Sequence, residues 1–135
     1  MNIRSLKVLK SLEIYKFALV GVCSSIVVLL FMTFFTSTFG IFYAFSAIIS
    51  LEIGVVTAFF MHERWTFTKT PKIDMAKIRF VKYNIFSLFG FGINELILII
   101  LTNKFGMHYI ISEGIAILIT FGFNYIINKK LTWKK

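Results

Sequence analysis

Four apolar stretches, roughly Phe17 to Phe35, Phe42 to Met61, Val81 to Leu101 and Met107 to Ile127, leave this chain of 135 residues few ways to fold. Each is about 20 residues long, and at about 1.5 Å of rise per residue a helix of that length matches a hydrocarbon core about 30 Å thick. The sequence is 58% hydrophobic and 18% aromatic, with 17 Phe. A soluble domain this short could not bury so much apolar surface, so lipid must cover part of it. The reading is an all-α integral membrane protein with four transmembrane helices.

The charges between the spans predict an orientation. Arg4, Lys7, Lys10 and Lys16 precede the first span; Arg64, Lys69, Lys72, Lys77, Arg79 and Lys82 lie between the second and third; Lys129, Lys130, Lys134 and Lys135 follow the fourth. Only Lys104 falls on the other side. Short loops rich in Lys and Arg stay cytoplasmic, which predicts a multi-pass protein of the cell membrane with both termini and the 62–80 loop inside. The net charge of +9 is read as topology and as contact with anionic headgroups; its cations flank spans instead of striping a soluble face, which argues against nucleic acid. Residues 1–16 interleave Leu6, Leu9, Leu12 and Ile14 with the cations, a pattern that predicts a short amphipathic helix on the inner surface. The apolar run that follows is too long for a signal peptide and lacks a small-residue cleavage pattern, so the first span is read as retained.

The two halves of the chain read as repeats. Connections near Ser37 to Ile41 and Asn103 to Gly106 are so short that each joins its flanking spans into an antiparallel hairpin. The first half opens with Lys16-Phe17 and closes with Arg64-Trp65-Thr66-Phe67; the second opens with Arg79-Phe80 and closes with Lys130-Leu131-Thr132-Trp133. Closings are 66 residues apart and openings 63. Because each half enters and leaves on the inside, the predicted arrangement is a parallel (2+2) repeat about an axis along the membrane normal. The segment from Thr68 to Lys77, with Pro71, is the linker.

Polar groups inside the spans are the candidate functional residues. Ser50, Gly54 and Ala58 recur every four residues in span two, as do Ser112, Ala116, Thr120, Asn124 and Asn128 in span four. Small residues at that interval let helices approach closely, and Asn124 is either interhelical glue or a headgroup contact. Glu52, Glu95 and Glu113 lie within spans where no Lys or Arg can pair with them, and an intramembrane charge costs about 2.5 kcal/mol or more. Each is either protonated and bonded to a neighbour or part of a polar cavity that receives a hydrophilic group or a proton. At the inner interface Arg64 with Trp65, and Lys130 with Trp133, suit membrane anchors. Arg64, and Arg79 at the start of span three, also present forked donors suited to a lipid phosphate.

Asp74 is the single Asp, and no glycine-rich phosphate loop, nucleophile elbow or His/Cys metal spacing occurs. No catalytic activity, metal or cofactor is therefore expected. Cys23, alone and within the first span, reads as a packing residue.

The opening Lys16-Phe17-Ala18-Leu19-Val20-Gly21, the exit Arg64-Trp65-Thr66-Phe67 and the exit Asn124-Tyr125-Ile126-Ile127-Asn128-Lys129-Lys130-Leu131-Thr132-Trp133 together resemble the GtrA-like family of four-span proteins, over roughly Tyr15 to Trp133. Here Ala58 and His62 stand at the places equivalent to Asn124 and Asn128, where the family often has Asn. The resemblance implies translocation of a polyprenyl-phosphate-linked sugar across the cytoplasmic membrane, for glycosylation of cell-surface polysaccharide or teichoic acid. Similar domains attached to polyprenyl- or dolichyl-phosphate sugar transferases imply the alternative, a non-transporting subunit that anchors or stabilises a glycosyltransferase. Under the first reading Arg64, Arg79 or Lys130 would hold the phosphate, and Asn124, Asn128, Glu52 and Glu95 would meet the sugar. Implied partners are the lipid-linked sugar, membrane lipid, glycosyltransferases of the pathway and further copies in a homo-oligomer. A proton-coupled drug exporter also fits the size, but small exporters that insert both ways carry little charge bias.

Overall fold

A computed structural model describes residues 3–68 and 74–133, with side chains from Lys7 onward. Pro71 and the cations Lys69, Lys72, Lys134 and Lys135 lie outside the described residues, as does the Arg4 side chain. All regular structure among the described residues is helical: α1 (Ile3–Phe39), α2 (Tyr43–Met61), α3 (Ala76–Ile99) and α4 (Tyr109–Ile127). Three five-residue π-helical turns continue α2, α3 and α4, at His62–Thr66, Ile100–Lys104 and Asn128–Thr132. The segments Lys7–Phe39, Tyr43–Thr66, Ala76–Lys104 and Tyr109–Thr132 are long and apolar enough to cross a membrane. The protein is therefore a multi-pass membrane protein.

Several boundaries differ from the sequence reading. The basic segment is not a separate short helix, since α1 runs unbroken through 37 residues from Ile3. No Pro or Gly occurs before Gly21 to break it. The 62–80 loop is shorter than expected, because the helix continues through Thr66 and α3 starts at Ala76. The turns fall at Gly40–Phe42 and Phe105–His108, with Asn103 and Lys104 still helical. At both turns a glycine takes the left-handed backbone that side-chain-bearing residues avoid, Gly40 at φ 63° and Gly106 at φ 66°.

The chain divides into two compact units, Met1–Lys69 and Thr70–Lys135. The first is the α1–α2 hairpin and the second the α3–α4 hairpin. Within each hairpin the buried residues form a narrow seam. Ser46, Ser50, Gly54 and Ala58 are buried along α2, and Ser112, Ala116 and Thr120 along α4. Side chains this small let neighbouring helices close in. A Cβ on Gly54 would strike Val28 of α1, and one on Gly90 of α3 would strike the amide of Asn124. Larger apolar groups such as Leu29, Phe45, Leu88 and Leu118 are exposed, an inversion of soluble packing that suits lipid contact.

The two hairpins share one internal plan. α2 and α4 have 19 residues each, and their starts, their ends, the π turns after them and the turn glycines all lie 66 residues apart. The three residues by which the 63-residue offset at the openings falls short must then lie between Arg79 and Gly106, in α3 or the π turn that continues it. That is where α3 carries a π turn and α1 has none. A π turn holds extra residue in a helix without ending it.

Candidate functional site

At the open end of the first hairpin, the π turn directs polar and aromatic groups inward. The His62 ring is buried, stacks on Phe17 at 4.4 Å and lies 5.7 Å from Phe67. Its Nδ1 is 3.0 Å from the Thr66 hydroxyl. The Phe67 N–H donates to the His62 carbonyl at 2.9 Å and closes the turn. Cations ring this plug from outside. Lys16 Nζ donates to the Trp65 carbonyl at 3.3 Å and sits 5.4 Å from the Trp65 ring, while the exposed Arg64 lies 5.8 Å from the Phe60 ring.

The open end of the second hairpin repeats the arrangement with amides. Thr132 donates to Asn128 Oδ1 at 2.9 Å, Asn128 Nδ2 donates to the Asn124 carbonyl at 2.9 Å, and the Trp133 N–H closes the turn on the Asn128 carbonyl at 2.9 Å. Trp133 is fully buried and meets Tyr83 edge to face at 5.5 Å. It is an internal plug, not the surface anchor its position suggested; the place equivalent to it is Phe67, and Trp65 is the exposed ring.

The predicted site residues separate into distinct places. Arg79 is buried and donates to the Asp74 carbonyl, and Lys82 pairs with the Asp74 carboxylate, so both cations tie down the start of α3. Lys130 is exposed, beside Lys129, whose Nζ lies 3.1 Å from the Tyr125 hydroxyl. Asn128 is buried; Asn124 is half-buried with its Oδ1 shielded and unbonded, one turn deeper. Glu52 is exposed near the middle of α2. Glu95 lies toward the turn end of the second hairpin, where Lys104 is the one cation among the described residues, and lines an open cavity of about 380 Å³ together with Thr102, Asn103, Tyr109 and Glu113.

Two connections escaped sequence reasoning. Asn94 Nδ2 reaches both carboxylate oxygens of Glu113, at 3.2 and 3.4 Å, and so joins α3 to α4 inside the span. The adjacency of Asn94 and Glu95 signalled polarity but not direction. The Asp74 cluster had a weak signal, an acid just ahead of a helix start, where the N-terminal dipole favours negative charge. In the second hairpin the polar groups now form a series: Thr132, Asn128, Asn124, Thr120, then Glu113 with Asn94. The Thr120 hydroxyl oxygen is buried and unbonded, like Asn124 Oδ1.

Comparison with known proteins gives two findings. Residues 16–133 match the family model described as GtrA/DPMS, transmembrane domain. The chain is also similar to a dolichol-phosphate mannosyltransferase from Pyrococcus furiosus, with 31% identity over 121 residues; these are 90% of this chain and 34% of that protein. The chain thus spans about a third of the length of this relative.

Proposed function

Since the chain belongs to the GtrA/DPMS transmembrane-domain family, we propose that it moves a polyprenyl-phosphate-linked sugar between the leaflets of the cytoplasmic membrane. The reading is supported above all by the polar seam of the second hairpin. It runs from a cationic open end to a carboxylate-lined turn end, and two of its buried oxygens have no bonding partner. The first hairpin also shields unbonded hydroxyls, at Thr36 and Ser50, so the distinguishing atom is the Asn124 amide oxygen, whose burial without a partner costs about 1–3 kcal/mol. A sugar passing along the seam would supply the missing donors. In this reading both termini are cytoplasmic, the exposed Lys130 receives the lipid phosphate at the open end of the second hairpin, the exposed Arg64 offers the same group at that of the first, and Asn124 and Asn128 meet the sugar as it enters. Arg79 supports the site by holding the α3 start.

The test is leaflet accessibility of a labelled polyprenyl-phosphate sugar in proteoliposomes. Transfer above that of empty vesicles is expected, and Asn124→Ala should slow it by about tenfold, the worth of one hydrogen bond to a polar ligand. Transfer no faster than in empty vesicles removes the reading.

A second reading is favoured by the mannosyltransferase relative, in which the matched region is only part of a larger enzyme. Here the hairpins anchor or stabilise a glycosyltransferase and move nothing themselves. Asn124→Ala and Glu52→Gln would then leave pathway output intact, while changes between Thr68 and Lys77 would break co-purification with the transferase. Neither reading gives this chain a catalytic step.

A further inference from the structure

We infer that the turn-end cavity of the second hairpin is a binding site for a single sugar ring, held through its hydroxyl groups; this rests on the lipid-linked-sugar reading and specifies a second station for that ligand. The cavity, at about 380 Å³, falls in the range of small-molecule pockets and has room for a sugar ring. Its chemistry is that of a polyol receptor. The Glu95 and Glu113 carboxylates accept from hydroxyl donors, Asn103 can both donate and accept, and Thr102 brings a hydroxyl whose oxygen is buried without a partner. Leu98, Ile99 and the Tyr109 ring supply apolar surface for the C–H face of a sugar. The Tyr109 ring is steadied by His108, stacked at 4.7 Å and 26°. Glu113 is held in place by Asn94 across the seam, so one acceptor is oriented before any ligand arrives.

The fold does not require these groups. The offset passes from 63 to 66 along this stretch, so Asn94 corresponds to a residue among 28–31 and Glu95 to one among 29–32, all of them apolar; by the 66-residue offset of the closings, Glu113 corresponds to Ala47. The first hairpin has the same glycine turn with apolar residues at all three places. A carboxylate within a span costs about 2.5 kcal/mol or more, and the first hairpin, whose Glu52 lies at mid-span, builds the same turn end with none.

The sign of the charge selects which part of the ligand binds. Lys104 is at this end but does not line the cavity, whereas Glu95 and Glu113 do; two carboxylates repel a phosphate, so the cavity takes the uncharged sugar. Glu113 and Lys130 are 17 residues apart along one continuous helical run, about 25 Å at α-helical rise. A sugar phosphate cannot bridge that distance, so a sugar seated in the cavity has left the cationic end. The cavity is the station of the opposite leaflet.

The experiment uses the full chain in lipid vesicles and polyprenyl-phosphate probes bearing glucose, galactose or mannose with a diazirine on the sugar. A sugarless polyprenyl phosphate with the diazirine beside its phosphate is the control. At least one sugar probe should label the 94–113 peptide, and the control should not. Glu95→Gln and Glu113→Gln, which keep side-chain shape, should each reduce that labelling about tenfold, as loss of one charge-assisted hydrogen bond implies. An unchanged unfolding temperature shows each variant folded, and Thr102→Val is the alternate where one is not. The proposal is overturned if no sugar probe labels 94–113, if the control labels it equally, or if the folded variants label like the parent. Leaflet transfer is measured in the same vesicles. Labelling without transfer keeps the cavity site and removes transport; transfer without labelling removes the cavity site alone.

Discussion

The two hairpins are built on one frame and filled with different chemistry. Each has a left-handed glycine at its turn, a 19-residue return helix, a π turn and a buried aromatic plug, Phe67 in one and Trp133 in the other. In the first, a glycine on the return helix receives an aliphatic side chain, Val28 against Gly54. In the second the glycine is on the opposite helix and receives an amide, Asn124 against Gly90. Packing alone is satisfied by the first solution. Both hairpins leave buried hydroxyl oxygens unbonded, Thr36 and Ser50 in the first and Thr102 and Thr120 in the second; the second adds an unbonded amide oxygen on Asn124 and a bonded series of polar side chains, and these are the physical ground for placing function in the α3–α4 hairpin.

The comparison breaks most visibly at the plugs. Trp133→Ala should destabilise the protein by about 3 kcal/mol, since it empties a fully buried ring site, whereas Trp65→Ala should cost about 0.5 kcal/mol or less. Thermal unfolding in detergent measures both, and equal effects would mean that the burial difference between the two tryptophans is wrong. The glycines come next. Gly54→Ala forces the stiff, β-branched Val28 aside and should cost about 1–2 kcal/mol even after the helix propensity that alanine restores, with Val28→Ala relieving most of it. Gly90→Ala meets the rotatable end of Asn124 and should change stability by about 0.5 kcal/mol or less, because the gain in propensity offsets the displacement. If Gly90→Ala proves the costlier substitution, Asn124 is locked in place and the amide belongs to the packing. The Asn94–Glu113 bond is a similarly small effect. A double-mutant cycle with Asn94→Ala and Glu113→Ala should give a coupling of about 0.6 kcal/mol, as is usual for a polar pair between membrane helices. A coupling of zero would detach Glu113 from its oriented place at the cavity.

The frame was legible in the sequence because lipid makes few demands and makes them by length and composition. The apolar runs, the recurrence of Arg64-Trp65-Thr66-Phe67 as Lys130-Leu131-Thr132-Trp133, and the four-residue stripe of small residues each follow from periodicity along one helix. What was not legible depends on where helix faces point across a hairpin. Spacing alone suggested that the two tryptophans of the exits do the same work, yet the 66-residue register pairs Trp133 with Phe67. Arg79 looked like a free phosphate donor because Asp74 is five residues upstream, and only the start of α3 at Ala76 turns the two together. The cavity was hidden for a related reason, since Glu95 and Glu113 come from different helices and meet only once the turn length is known.

The uninterrupted α1 has a mechanical implication. At 37 residues it is about 55 Å long, well beyond a hydrocarbon core of about 30 Å. Its first turns beyond that core carry Leu9 and Leu12 beside Lys7 and Lys10, all exposed, a composition that adheres to a headgroup surface. A rod without a joint cannot lie down at one end and stand upright at the other. Adhesion of the basic end must lean the whole rod, and with it the turn at Gly40 on the far side. Surface charge on one leaflet thereby sets the tilt felt at the other.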